Sequence, residues 1–132
     1  MRKRTNVDLK VKLGKLTLQN PVLVASGCFG YGNEYARVIP VNRLGGIVTK
    51  SITPKPRPGN KPPRIWETSS GMLNAIGLQN VGIDAFVRNK LPYLARLKGP
   101  KVIVSIAGDT VSDYVELARK LDDAEGVDGL EL

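Results

Sequence analysis

The sequence predicts an α/β protein built on parallel strands, and three observations carry that prediction. Short runs of successive apolar residues, Val22-Leu23-Val24-Ala25, Ile47-Val48-Thr49 and Lys101-Val102-Ile103-Val104-Ser105-Ile106, read as strands buried on both faces. Each run closes on small or polar residues: Ser26-Gly27, Lys50-Ser51 and Ala107-Gly108. Stretches with helical spacing follow the later runs, and strand–helix alternation of this kind implies parallel strands with right-handed crossovers. The pattern by itself is common to an open sheet and a closed barrel.

In chain order, Val7-Asp8-Leu9-Lys10-Val11-Lys12-Leu13 alternates apolar and charged residues, predicting a half-buried strand. Gly14-Lys15 supplies a turn and Leu16-Thr17-Leu18 a returning strand, so the chain opens on a hairpin. Asn20-Pro21 ends it and launches the first apolar run. Glu34 to Ile39 is expected to form a short helix stopped by Pro40. Gly45-Gly46 precedes the second run, which has Lys50 at its C-terminal end. Between Ile52 and Pro63, five prolines and one glycine mark an excursion loop, with recognisable elements resuming on both sides. Gly71 to Asn80 is read as a further loop. Asp84 to Leu97 carries Phe86, Val87, Leu91, Leu94 and Leu97 near helical spacing, with Pro92 predicting a kink or a break in two. After the third run, Thr110 or Ser112 caps a helix whose Tyr114, Val115, Leu117, Ala118 and Leu121 share a face. Gly126 to Leu132 begins a fourth strand.

A chain of 132 residues suits one domain with a core of its own. Its net charge of +8 is unevenly spread. No acidic residue occurs between Tyr35 and Trp66, where Arg37, Arg43, Lys50, Lys55, Arg57, Lys61 and Arg64 all lie. Such a stretch suits a phosphate, a carboxylate or an acidic partner surface, and reads equally as a solvated loop. Nucleic acid is the poorer reading, because no binding motif or aromatic stacking pattern accompanies the charge. One cysteine excludes an internal disulfide. Met1-Arg2-Lys3-Arg4 is not followed by the apolar segment of a secretory signal, and no apolar run reaches membrane-span length. The expectation is a soluble, cytoplasmic protein with no metal site and no membrane or nucleic-acid partner.

Chemistry concentrates in Gly71-Met72-Leu73-Asn74-Ala75-Ile76-Gly77-Leu78-Gln79-Asn80. An asparagine amide offers donors and an acceptor that fix a planar polar ligand in one orientation. Gly77 lets the backbone approach a ligand and present successive N–H groups to an oxyanion. With Lys50 nearby, this is a receptor for a small carboxylate beside a cofactor. Taken together with Ala25-Ser26-Gly27-Cys28-Phe29-Gly30 and Thr49-Lys50-Ser51, the segment Asn74-Ala75-Ile76-Gly77-Leu78-Gln79-Asn80 resembles the dihydroorotate dehydrogenases. Cys28-Phe29-Gly30 after the serine–glycine pair is similar to the catalytic subunit of class 1B of that family.

The resemblance implies a (β/α)8 barrel preceded by a short hairpin, and a flavin enzyme of pyrimidine synthesis that oxidises dihydroorotate to orotate. It implies flavin mononucleotide contacts from Ala25, Ser26, Gly27, Lys50, Ser51 and Ser105, although the family often has asparagine where Ser105 stands. It implies substrate contacts from Lys50, Asn74, Ile76, Gly77 and Leu78. For Asn80, stabilising a turn and touching a ligand are equally open, and Trp66 is read as loop packing. Cys28 is read as a small residue near the flavin loop and not as the base, because no histidine exists to activate it. In the family the catalytic cysteine lies on a later loop, so no catalytic residue is assigned and the base is expected beyond Leu132. Class 1B also implies a separate electron-transfer subunit carrying FAD and an iron–sulfur cluster and passing electrons to NAD, within a homo- or hetero-oligomer.

A complete barrel of this kind needs roughly 250 residues. Residues 1–132 are therefore expected to be a partial FMN-binding barrel domain, the N-terminal half ending at about the fourth strand and inactive in isolation. Two rivals stand beside this reading: a related flavin barrel such as dihydropyrimidine dehydrogenase, and a non-enzymatic half-barrel interaction module.

Overall fold

The computed structural model describes residues 7–132, so the basic Met1–Arg4 run lies outside the described residues. β1 (Val11–Leu13) and β2 (Leu16–Leu18) form the expected antiparallel hairpin, with Val11 opposite Leu18 and Leu13 opposite Leu16. The ladder is shorter than the alternation from Val7 implies, and Val7 and Leu9 are exposed. An alternating strand can pair only as far as its partner extends. Beyond Leu18 the chain is drawn elsewhere: the Gln19 amide donates to Asn42 O and Leu44 O, each at 2.7 Å, and the Asn20 amide to Arg43 O at 2.8 Å.

β3 (Leu23–Val24), β4 (Gly46–Val48), β7 (Lys101–Ser105) and β8 (Gly129–Glu131) form one parallel sheet in the order β3-β4-β7-β8. Each crossover adds its strand on the same side of the last, which is how consecutive staves of a barrel are laid. Gly45 permits close approach between β3 and β4, since a Cβ there would meet Asn20 O at 1.9 Å. The inner strands are buried as predicted; Ile47, Val102 and Val104 pack with Phe86, Leu94, Leu117 and Leu121. The first apolar run departs from expectation. β3 is an edge, so Val22 and Leu23 are exposed although their composition reads as buried on both faces.

The predicted Glu34–Ile39 helix is replaced by a 3-10 turn over Asn33–Tyr35 and a single wider turn, in which Val38 and Ile39 N–H groups both reach Tyr35 O. Six residues ahead of Pro40 are too few to offset helix nucleation. Glu34 also turns back to accept from the Tyr31 N–H at 3.1 Å.

Between β4 and β7 lies a second antiparallel hairpin, β5 (Ile65–Thr68) and β6 (Gly71–Asn74), pairing Trp66 with Leu73 and Glu67 with Met72. Part of the Gly71–Asn80 segment read as loop is thus strand. All eight ladder residues are exposed, so no buried face imposed the alternation by which a strand is recognised. Trp66 is largely exposed here rather than packed into a loop.

Pro92 breaks the next helix as predicted, into α1 (Ile83–Asn89) and α2 (Leu91–Leu94). It lies in the first turn of α2, where its missing N–H has no helical partner to lose. α3 (Val111–Asp122) buries Leu117 and Leu121, while Val115 falls off that face and is exposed. Thr110 is its cap: Thr110 Oγ1 accepts from the Asp113 N–H at 3.2 Å, and Asp113 Oδ2 accepts from the Thr110 N–H at 3.1 Å. Asp128 anchors the start of β8, accepting from Lys101 Nζ at 2.7 Å and the Val102 N–H at 2.8 Å.

Candidate active site

Because the four core strands are parallel, their C-terminal ends open on one rim. Ser26-Gly27 follows β3, Lys50-Ser51 follows β4, and Ser105 ends β7. The β4–β7 ladder is interrupted where chemistry is expected. Thr49 N–H bonds Ile103 O and Ile52 N–H bonds Ser105 O, both at 2.9 Å, leaving Lys50 and Ser51 lifted out between them. Lys50 N–H is taken instead by Gly30 O at 2.8 Å, tying the lysine to the loop after β3. Ser51 Oγ lies 2.8 Å from Ser105 Oγ.

The segment after β6 is held over this rim by the proline-rich excursion. Asn60 N–H donates to Ile76 O at 3.0 Å and its amide to Ala75 O at 2.9 Å. Arg64 spans the excursion, donating to Asn60 O at 2.6 Å, Pro58 O at 3.1 Å and Gln79 Oε1 at 2.5 Å. The density of prolines that made this stretch look structureless gives it stiffness instead. Gly77 has φ +73° and Leu78 φ +51°. A non-glycine residue in the left-handed region costs about 1 kcal/mol, and strain of this sort collects where the surrounding contacts over-determine a functional loop.

These pieces enclose a cavity of about 230 Å3 lined by Ser26, Gly27, Lys50, Ser51, Asn74, Ile76, Leu78 and Gln79. Seven of those eight are residues singled out from sequence. Gln79, quoted only as part of the motif, is the addition; its role depends on the Arg64 contact, which sequence spacing does not reveal. Ala25, Gly77 and Ser105 do not line the cavity. Ala25 O closes the following turn by accepting from Cys28 and Phe29 N–H groups, and Ser105 sits buried behind Ser51. Cys28 is exposed and is not part of the wall.

The polar atoms around the cavity are unevenly committed. Asn74 Oδ1 accepts from the Ile76 N–H at 3.1 Å, so that N–H is spent within the loop. Among the described residues, the Asn74 amide nitrogen and the Gly77 and Leu78 N–H groups have no protein acceptor. Lys50 likewise makes no ion pair among the described residues. Asn80 is the opposite case. Buried, it accepts from Thr53 N–H at 3.2 Å and Gly82 N–H at 2.8 Å, and its amide donates to Leu78 O at 2.8 Å. Its Arg57 backbone bridge completes the set, which makes it a fastener of the turn. The cavity therefore offers one cation and several free donors, a receptor for an anionic or acceptor-rich planar molecule.

The dihydroorotate dehydrogenase family profile matches residues 8–132. The chain belongs to the dihydroorotate dehydrogenase family. It is 51% identical over 124 residues to the dihydroorotate dehydrogenase B (NAD(+)) catalytic subunit of Thermodesulfovibrio yellowstonii, covering 94% of this chain and 41% of that one. The corresponding subunit of Pelobacter propionicus is 54% identical over 125 residues, with 95% and 41% coverage. A crystal structure of DHODH from Eimeria tenella in complex with ferulenol superposes with a TM-score of 0.71 at 25% identity, covering 98% of this chain and 37% of that one. This chain thus spans about two fifths of the curated relatives it matches. The four parallel strands are a portion of the family's α/β barrel, in agreement with the predicted N-terminal half. No helix among the described residues is long and apolar enough to cross a membrane, and no cluster of metal-ligating side chains occurs among them.

Proposed function

We propose that this chain provides part of the flavin and substrate shells of an FMN-dependent dihydroorotate dehydrogenase of the B type. The observation that carries the reading is the meeting of Ser26, Lys50, Asn74 and Leu78 around one rim cavity, with Lys50 and the Asn74 amide uncommitted.

The residues present suit a flavin in part. A Cβ on Gly27 would meet nothing within 4 Å, so open space lies beside the backbone after β3. At about 230 Å3 the cavity is below the ~300–1,000 Å3 of complete small-molecule sites, which fits a site finished by further surfaces. Ser26, Gly27, Lys50 and Ser51 would hold the cofactor, with Ala25 shaping the turn and Ser105 positioning Ser51. Bound there, the flavin would supply the acceptor for the two electrons that leave dihydroorotate. Lys50 would put its positive charge where negative charge develops, beside the free donors of the same cavity. Asn74 and the Gly77 and Leu78 N–H groups orient the carboxylate and ring of the substrate, and Ile76 packs beside it. The proton acceptor is assigned to none of these residues.

The relatives' name, a catalytic subunit, supports a separate electron-transfer subunit; that this subunit carries FAD and an iron–sulfur cluster, within a cytoplasmic oligomer, is the reading the family resemblance implies.

Three experiments test the proposal. In the complete enzyme, Lys50→Ala should slow flavin reduction by dihydroorotate by at least a hundredfold while leaving the fold intact; unchanged reduction kinetics would remove Lys50 from the site. Dihydrouracil, which lacks the carboxylate, should bind far more weakly than dihydroorotate, and equal binding would favour a dihydropyrimidine-type substrate. Expressed alone, residues 1–132 should be colourless, inactive and self-associating, because β3 and β8 are open edges that expose Val22, Leu23, Leu130 and Leu132. A yellow, active monomer would overturn this, and survival of a folded, colourless module would favour the interaction-module reading.

A further inference from the structure

Lys50 is the one cation in the lining of the rim cavity, and its backbone is not held by the sheet. Thr49 and Ile52 on either side pair with β7, while the Lys50 N–H bonds Gly30 O at 2.8 Å. Whatever fixes Gly30 therefore fixes the root of the lysine side chain.

The Gly30 carbonyl and the Tyr31 N–H belong to one peptide unit, whose atoms lie close to a plane and move together. That unit is gripped at both ends. Its C=O accepts from Lys50, and its N–H donates to Glu34 Oε2 at 3.1 Å. A carboxylate on the N–H also polarises the carbonyl across the amide, which strengthens the bond to Lys50. The carboxylate is braced in turn, since Lys90 Nζ, at the junction of α1 and α2, lies 3.8 Å from Glu34 Oε1.

Gly30 is matched to this clamp. Its φ of +60° is left-handed, and a Cβ there would meet the Glu34 carboxyl carbon and Oε2 at 3.1 Å each. The flanks of the loop close on themselves: the Cys28 and Phe29 N–H groups bond Ala25 O, and the Tyr35 hydroxyl donates to Cys28 O at 3.0 Å. The Tyr35 ring also stacks on Phe29 at 4.7 Å between centroids. Among the described residues, Glu34 is the only side chain hydrogen-bonded to the Gly30–Tyr31 peptide itself. Glu34 does not line the cavity, so its route to the chemistry runs through Lys50.

We propose that Glu34 is a positioning residue for the Lys50 ammonium, acting through the Gly30–Tyr31 peptide. The inference rests on the role given to Lys50 under the proposed function. In the complete enzyme in its native assembly, Glu34→Ala should slow flavin reduction by dihydroorotate about tenfold or more, since misplacing a reacting group by about 1 Å costs up to roughly a hundredfold. Glu34→Gln keeps an oxygen acceptor for the Tyr31 N–H and should recover most of that loss. In a Lys50→Ala background, Glu34→Ala should slow the reaction no further, because the cation it positions is gone. Residue-resolved hydrogen exchange gives a readout independent of turnover. In Glu34→Ala the Lys50 amide should exchange about tenfold faster or more, while Thr49 and Ile52, bonded to β7, keep the parental rate. Parental reduction in Glu34→Ala, a loss in Glu34→Gln as deep as in Glu34→Ala, or additive losses in the double variant would each overturn the positioning role and leave that of Lys50 standing. So would exchange that is unchanged at Lys50, or accelerated equally at Thr49 and Ile52. Unaltered reduction in Lys50→Ala alone would instead overturn the proposed function, and this inference with it.

Discussion

Asn74 and Asn80 stand six residues apart in one motif and have the same side chain, yet the structure gives them opposite duties. Asn80 is buried, with both ends of its amide engaged by Thr53, Gly82 and Leu78. Asn74 is exposed at the cavity, one end fixing the Ile76 N–H and the other uncommitted. Asn80 holds the loop closed, and under the proposed function Asn74 addresses what enters the cavity. A recognition motif is thus a composite of fastener and contact, and which residue does which depends on burial rather than on residue type.

The largest effect separating the two should come from Asn80→Ala. It strands the Thr53 and Gly82 N–H groups in the interior, and an orphaned buried group costs about 1–3 kcal/mol, so a loss on the order of 3 kcal/mol in unfolding free energy is expected. Urea denaturation of the complete protein measures it. A loss below about 0.5 kcal/mol would show that Asn80 is not the fastener.

Asn74→Ala should do the reverse. The loop loses one short-range contact, but under the proposed function dihydroorotate would lose a hydrogen bond to its charged group, so binding should weaken by about 1–3 kcal/mol with flavin content and melting temperature nearly unchanged. Titration calorimetry with orotate decides this. Coincident loss of flavin, or stability as damaged as in Asn80→Ala, would break the distinction.

Much of this frame was legible in the sequence because it rests on periodicity and punctuation. The apolar runs ending at Lys50 and Ser105, the Pro92 break and the Thr110 cap follow from local rules whose physics is local. What could not be read depends on position within the sheet. Val22 and Leu23 have the composition of an interior strand and lie on an edge. The β5–β6 hairpin carries no buried face to impose alternation on its sequence, and its Ser69-Ser70 turn lacks the Asn-Gly signal of tight hairpins. In the candidate site, the motif residues come together around the cavity, but their division of labour was hidden. Gln79 enters only through Arg64, and the choice between turn and ligand for Asn80 is decided by hydrogen bonds to Thr53, distant in sequence.

The smallest effect tests whether the fastener–contact distinction is confined to the site. Thr110 and Asp113 form a capping box at the start of α3, remote from the cavity lining. Thr110→Ala should cost about 1 kcal/mol of stability and leave orotate binding unchanged, where Asn80→Ala, by loosening the loop, should reduce both. The box also predicts a pH signature. The Asp109 N–H first, then the Thr110 contacts, hold the Asp113 carboxyl below its ordinary value, with Arg57 adding to the effect. A carboxyl lowered in the folded state contributes stability that is fully present above its unfolded pKa and is lost as pH falls through the folded one. Asp113→Asn should therefore flatten the acid limb of the stability profile below about pH 4, near the 3.8 of a free aspartate, and change little at neutral pH beyond the altered cap. An acid limb identical to that of the parent would mean that the α3 cap titrates independently of folding. A cap whose loss weakens orotate binding would mean instead that α3 and the rim loops are coupled, through the Arg57–Asp109 ion pair that joins them.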